Sequence, residues 1–223
     1  MASTDVGGQD ENGRPTIGMI GAGSIGGTLA RLFNAAGYPV LVSNSRGPDT
    51  LAELVASLGS GARAVTVEEA VEGSDIVVVS IPLRAYAAVP VPAVPGTIVF
   101  DANNYYPARD GHFAELDDDR TTSSEILANH LPGARVVKAF NTIYFVHLAE
   151  QGLPAGAPGR RALPIAGDDP EAKGVVTALI DAIGFDVVDA GPLAAGRDMQ
   201  PGSPVYNAHM DAAELATTLG VSG

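Results

Sequence analysis

The chain has 223 residues, of which 46% are apolar and only 17% charged, the balance of a globular protein and not of a disordered one. It has no cysteine, which excludes disulfides, thiolate catalysis and thiolate metal sites. A net charge of −13 argues against nucleic acid or an anionic membrane as partner, and any anionic ligand must find a local positive site.

Residues 1–15 are polar and Gly-rich, with no apolar core and no basic start. They read as a loose leader and not as a signal peptide. No apolar run approaches the ~20 residues that span a bilayer, so the expected location is the cytoplasm.

Residues 16–20 form a short apolar strand that runs directly into Gly21-Ala22-Gly23-Ser24-Ile25-Gly26. A helix over 25–36 follows, with Leu29, Leu32 and Phe33 on one face and Gly37 as its stop. Residues 38–42 read as a second strand. Asp49 or Thr50 is expected to cap a helix through Leu58 that buries Leu51, Leu54, Val55 and Leu58. A third strand is predicted over 64–67, and Thr66 and Glu69 have capping-box spacing for the next helix.

Residues 76–81 are a near-continuous β-branched run, as in a strand covered on both faces, and 97–100 repeat the pattern. Thr122 and Glu125 open a helix ending near Leu131, and 135–139 form a sixth strand. Two later strands, 162–165 and 185–188, flank a helix over 170–183 that Asp168 or Asp169 can cap. Residues 209–219 could form a short helix that covers its own core or packs on a partner. This alternation implies an α/β fold: a Rossmann-type doubly wound, mostly parallel sheet with a small C-terminal α/β extension.

The glycine motif carries more weight than its letters because a strand precedes it and an amphipathic helix follows. Gly21 permits the tight turn, Gly23 lets backbone approach a pyrophosphate, and Gly26 lets the helix pack on the strand. The helix start at Ser24 and Ile25 offers free N–H groups to phosphates. An NAD site would carry Asp or Glu at the end of the second strand. Here stand Ser43-Asn44-Ser45-Arg46, which suit a 2′-phosphate through hydroxyls, an amide and a guanidinium. The expected cofactor is therefore NADP(H).

Residues 17–26, the 43–46 turn and Val136-Val137-Lys138-Ala139-Phe140-Asn141-Thr142-Ile143 together resemble the NADPH-dependent coenzyme F420 reductases. That family's nucleotide domain is shared with the STEAP metalloreductases, and the resemblance runs from about residue 16 to about 196. It implies hydride transfer between NADP(H) and the deazaflavin coenzyme F420, with positioning and water exclusion as the protein's main contributions. It also implies that Ser80, Ile81 and Pro82 border the cofactor. Ala139, Phe140, Asn141 and Thr142 would position the nicotinamide and the facing ring. Asn103 and Asn104, after the fifth strand, join the same rim of strand ends.

The organisation that follows is a leader (1–15), an NADP-binding Rossmann domain (16–150) and an extension completing the substrate cleft (151–223). The alternatives are an NADPH-dependent reductase of a flavin, quinone, ferric chelate or imine, and a non-catalytic NADP(H)-binding sensor. Tyr105 and Tyr106 either stack on a flat ring or pack a Pro-terminated turn. Lys138, inside a predicted strand, reads as a paired structural lysine, with a catalytic lysine as the alternative. His112, His130, His147 and His209 lack metal-ligand spacing, and Asp117, Asp118 and Asp119 read as a solvated run, so no metal is expected. Arg84, Arg109, Arg160, Arg161 and Arg197 are scattered, and only folding could gather a basic cluster for the phosphate and tail of the deazaflavin. The expected partner is a small redox molecule, and any homodimer would use the sheet edge or the Pro-rich end.

Overall fold

A computed structural model describes residues 13–221. Most of the leader expected over 1–15 lies outside the described residues.

The first half alternates strand and helix. β1 (Ile17–Ile20) leads to α1 (Ser24–Ala35), and β2 (Val40–Ser43) leads to a 3₁₀ turn (Pro48–Leu51) and α2 (Ala52–Leu58). β3 (Ala62–Ala64), α3 (Val67–Glu72) and β4 (Ile76–Val79) follow, then a 3₁₀ turn (Leu83–Ala88) and β5 (Ile98–Asp101). Three short helices, α4 (Pro107–Asp110), α5 (Ala114–Asp117) and α6 (Ser123–His130), lead to β6 (Arg135–Lys138). The rest comprises α7 (Phe145–Glu150), β7 (Ala162–Gly167), α8 (Pro170–Ala182), β8 (Asp186–Asp189), a 3₁₀ turn (Leu193–Met199) and α9 (Ala212–Leu219).

Among the described residues the strands form one sheet in the order β3-β2-β1-β4-β5-β6-β7-β8. All neighbours are parallel except β6 and β7, where Val137 faces Gly167 and Lys138 faces Ala166 in antiparallel register. The chain therefore folds as a Rossmann-like, mostly parallel α/β sheet. Its winding reverses between β1 and β4, which opens a crevice beyond their carboxyl ends.

Burial on both faces explains the apolar strands. In β4, Ile76 and Val78 join the core under α1 and α8, while Val77 and Val79 join the opposite core with Leu127 of α6. Each such side chain contributes about 1.5–3 kcal/mol by leaving water. A smaller core holds Leu215 and Ala216 of α9 against Ala162 and Val188, so α9 covers the molecule's own strands.

The caps follow local chemistry. Thr66 and Glu69, Thr122 and Glu125, and Asp211 and Glu214 each close a reciprocal capping box. Asp169 accepts from Ala172 N at 2.7 Å and caps α8, while Asp168 accepts from Leu193 N at 2.9 Å and ties down the last 3₁₀ turn.

Two expectations are corrected. The third strand ends at Ala64, because Thr66 is already committed as the N-cap of α3. Neither Asp49 nor Thr50 caps α2; Pro48 starts a 3₁₀ turn, and the Thr50 hydroxyl donates to Gly47 O at 2.8 Å. Only Leu51 of the expected face is buried, while Leu54, Val55 and Leu58 are half-exposed beside the edge strand.

Candidate functional site

A groove runs over the carboxyl ends of β2, β1, β4, β5 and β6. It consists of two adjoining clefts that share Gly23, Ser80, Ile81 and Pro82. One, of about 320 Å³, is lined by Gly21, Ala22, Asn44, Ser45 and Arg46; the other, of about 280 Å³, by Asn103, Asn104, Phe140, Asn141 and Tyr206.

The glycine turn fits a dinucleotide residue by residue. Gly21 has φ +101°, and a Cβ there would overlap Ser80 O; a Cβ on Gly26 would overlap Gly21 O. At Gly23 a Cβ would meet no atom within 4 Å, so the open space above this glycine is where a ligand can approach. Gly23 is the N-cap of α1 and offers no side-chain cap, and the first turn carries no acid. The N-terminal N–H groups of a twelve-residue helix are thus left for an anion.

At the other rim the β2 turn is self-braced. Asn44 Oδ1 accepts from Arg46 N at 2.8 Å, and Asn44 Nδ2 donates to Thr50 Oγ1 at 2.9 Å. Ser45 and Arg46 are exposed on the cleft lining. Ser43 is fully buried, donates to Met19 O at 2.8 Å and lies off the lining, so its hydroxyl holds the strand end in place.

In the second cleft, Asn103 Oδ1 accepts from Ile81 N at 2.8 Å, which fixes the loop after β4 against the loop after β5. Asn141 Nδ2 donates to Met199 O at 2.7 Å and to Asn104 Oδ1 at 3.1 Å. Asn103 Nδ2 and Asn141 Oδ1 remain buried without a protein partner, one open donor and one open acceptor in the wall. Phe140 forms part of the floor with φ +62°, a left-handed conformation that costs a bulky residue about 1–2 kcal/mol. The rings of Phe33 and Phe100, 6.2 and 6.3 Å away, hold it there. Ser24 and Ile25 also line this cleft, whereas Gly26, Ala139 and Thr142 are buried behind it.

Beneath Asn103 lies a buried polar cluster. The Lys138 ammonium donates to Asn103 O and Ser123 Oγ at 3.2 Å and to Ser124 Oγ at 3.1 Å, with Asp101 Oδ2 at 3.7 Å. Asp101 accepts from Asn103 N at 3.0 Å and from Ser124 Oγ at 2.5 Å. Burial pushes Lys138 below its ordinary 10.5, against the pull of Asp101. This lysine supports the cleft wall and lies off its lining.

Other residues are deployed elsewhere. Tyr105 turns from the cleft to donate to Asp117 at 2.7 Å, whereas Tyr106 lines it. His147 sits on α7 off the lining, with Nδ1 buried and unpartnered. His112 meets Asp117, His130 meets Val89 O, and His209 meets Gln151. Asp118 and Asp119 pair with Arg120 and Arg197. Among the described residues no three His, Cys, Asp or Glu gather as a metal site.

Part of the lining comes from segments distant in the chain from the glycine turn. Tyr206 and Asn207 enter the lining from the C-terminal segment, tethered where Asn207 N donates to Thr142 O at 2.9 Å. Arg109 enters from α4, its guanidinium 4.8 Å from the Tyr106 ring centre. Arg109 stood among the scattered arginines of the sequence, and no sequence signal pointed to Tyr206.

Comparison with known proteins bears on this groove. The family model for NADP oxidoreductase, coenzyme F420-dependent, matches residues 16–105, which contain the glycine turn and the Arg46 turn. The solved hypothetical protein SMa0349 of Sinorhizobium meliloti is 34% identical, covers 90% of this chain and 96% of its own, and superposes with a TM-score of 0.77. Residues 16–105 thus carry a domain of the coenzyme F420-dependent NADP oxidoreductase family.

By its description the matched family consists of NADP oxidoreductases. Metalloreductase STEAP3 of Rattus norvegicus is 33% identical over 189 residues, 83% of this chain. The chain spans less than half the length of the curated relatives it matches, 36% for the metalloreductase. A structure from Arthrobacter sp. FB24, named for F420-dependent NADP reduction, shares the fold at 24% identity and TM-score 0.70 over 92% of this chain and 94% of its own. Among the described residues no helix is long and apolar enough to cross a membrane.

Proposed function

We propose that the chain transfers hydride between NADP(H) and the deazaflavin coenzyme F420. The observation that carries this reading is the carboxylate-free turn ending in exposed Arg46, set across one groove from the open Gly23 turn. NADPH supplies the hydride when bound. Gly23 and the α1 terminus hold the pyrophosphate, and Ser45 and Arg46 hold the 2′-phosphate. Asn103 and Asn141 keep one donor and one acceptor open, the complement that a carboxamide-bearing ring requires. Phe140 and Ile143 exclude water from the floor, and the extension over 151–223 completes the acceptor's cleft through Tyr206 and Asn207.

The family model's description supports F420 as acceptor. Mixing protein, NADPH and F420 should bleach the oxidised deazaflavin absorbance at a rate proportional to enzyme. Absence of turnover at any pH overturns this reading. A second reading, another acceptor such as a flavin or ferric chelate, is favoured by the similarity to a metalloreductase. A panel of such acceptors with NADPH tests it.

A further inference from the structure

Folding gathers two of the scattered arginines. Arg109 donates to Asp110 through Nε at 3.0 Å and Nη2 at 2.8 Å. Arg84 donates through Nη1 to Arg109 O at 2.6 Å, with Asp110 Oδ1 at 3.8 Å. The Asp110 side chain is 0% exposed and also accepts from Tyr106 N at 3.0 Å. Burial opposes its ionisation, but the Arg109 hydrogen bonds and the backbone N–H groups hold its carboxyl below the ordinary 3.8. One carboxylate thus meets two guanidinium groups, leaving one positive charge over.

That surplus stands out against the other paired arginines. Arg135 faces Asp169 and Glu171, Arg160 faces Asp181 and Asp186, Arg120 faces Asp118, and Arg197 faces Asp119. Each of those groups is neutral or negative. The Arg84 and Arg109 side chains remain 53% and 40% exposed. Arg84 Nη2 and Arg109 Nη1 donate to nothing among the described residues. Arg109 lines the second cleft beside the Tyr106 ring, so a cation and an aromatic face stand together at its mouth.

We infer that Arg84 and Arg109, braced on Asp110, form an anion subsite that selects acceptors carrying a phosphate or carboxylate beside the reducible ring. The inference rests on the proposed reduction of an acceptor by NADPH and adds the class of that acceptor. In a chain of net charge −13, this corner offers an anionic acceptor a compensating charge. Neutral quinones and cationic imines gain nothing from it.

FMN and riboflavin share one ring system and differ by a phosphate, so they isolate the subsite. Flavin fluorescence quenching with the NADP⁺-loaded protein should give an affinity for FMN about tenfold above that for riboflavin at low salt. The preference should shrink as salt rises, because the pair is exposed. Arg84→Gln and Arg109→Gln should each bring the ratio toward one. Arg84 is the cleaner position, since Arg109 also donates to Asn104 O at 2.8 Å and shapes the loop. Equal affinities in the unaltered protein, no saturable FMN binding, or a ratio unmoved by both variants overturns the subsite. So does weakened NADP⁺ binding in the variants with the FMN preference intact, which assigns the cations to the dinucleotide. Loss of NADPH turnover with FMN preference retained counts against the proposed activity alone.

Discussion

Tyr106 and Tyr206, one hundred positions apart in the chain, join hydroxyl to hydroxyl at the rim of the second cleft. The bond ties the loop after β5 to the C-terminal segment and so joins the two walls of the cleft. Burial, reinforced by the Tyr106 hydroxyl, pushes the Tyr206 phenol up to about 12 from an ordinary 10.0. The folded chain therefore holds this proton more tightly than the unfolded chain does. The stabilisation is full below pH 10 and is lost as pH climbs from 10 to about 12. An alkaline titration of phenolate absorbance should show a late step that disappears in Tyr206→Phe. A difference spectrum with only an ordinary tyrosine step would refute the buried bond.

Arg46→Ala should weaken NADP(H) binding by about 1–3 kcal/mol, the worth of a charge-assisted hydrogen bond. NAD(H), which lacks the 2′-phosphate, should lose much less. Calorimetric titration of both nucleotides decides it. Equal losses would remove Arg46 from 2′-phosphate recognition.

The glycines of the turn should separate folding from binding. Gly26→Ala drives a Cβ into Gly21 O and should lower the melting temperature. Gly23→Ala meets open space, so stability should hold while dinucleotide affinity falls. A Gly23→Ala protein that binds NADP(H) normally would show that the ligand lies farther from this backbone.

Lys138→Met strands Asp101 in the interior and should cost about 3–5 kcal/mol of unfolding free energy. Combining it with Asp101→Asn should cost less than the two single changes summed, because neither charge is then left alone. Denaturant titration of the four proteins measures the coupling. Additive losses would mean that the 3.7 Å pair carries no mutual stabilisation.

Local signals were legible where the physics is local. The Thr66 and Thr122 capping boxes reach three residues, and both formed as their spacing required. The β-branched run of β4 reports burial on two faces through each residue's own chemistry. The helix after β2 was misjudged because Thr50 spends its hydroxyl on Gly47 O, a choice set by turn geometry. The left-handed Phe140 left no trace in composition, since two distant phenylalanines hold it.

The residue order alone determined the alternating α/β architecture and the glycine and Arg46 turns of the groove, because each arises within a few consecutive residues. The fold decided what faces the second cleft. Tyr206 meets Tyr106, and Arg84 joins Arg109 on Asp110, only after the sheet is ordered and the C-terminal segment returns to Thr142. Those contacts depend on which strands lie side by side, and pairing between distant segments leaves no periodic mark in a single chain.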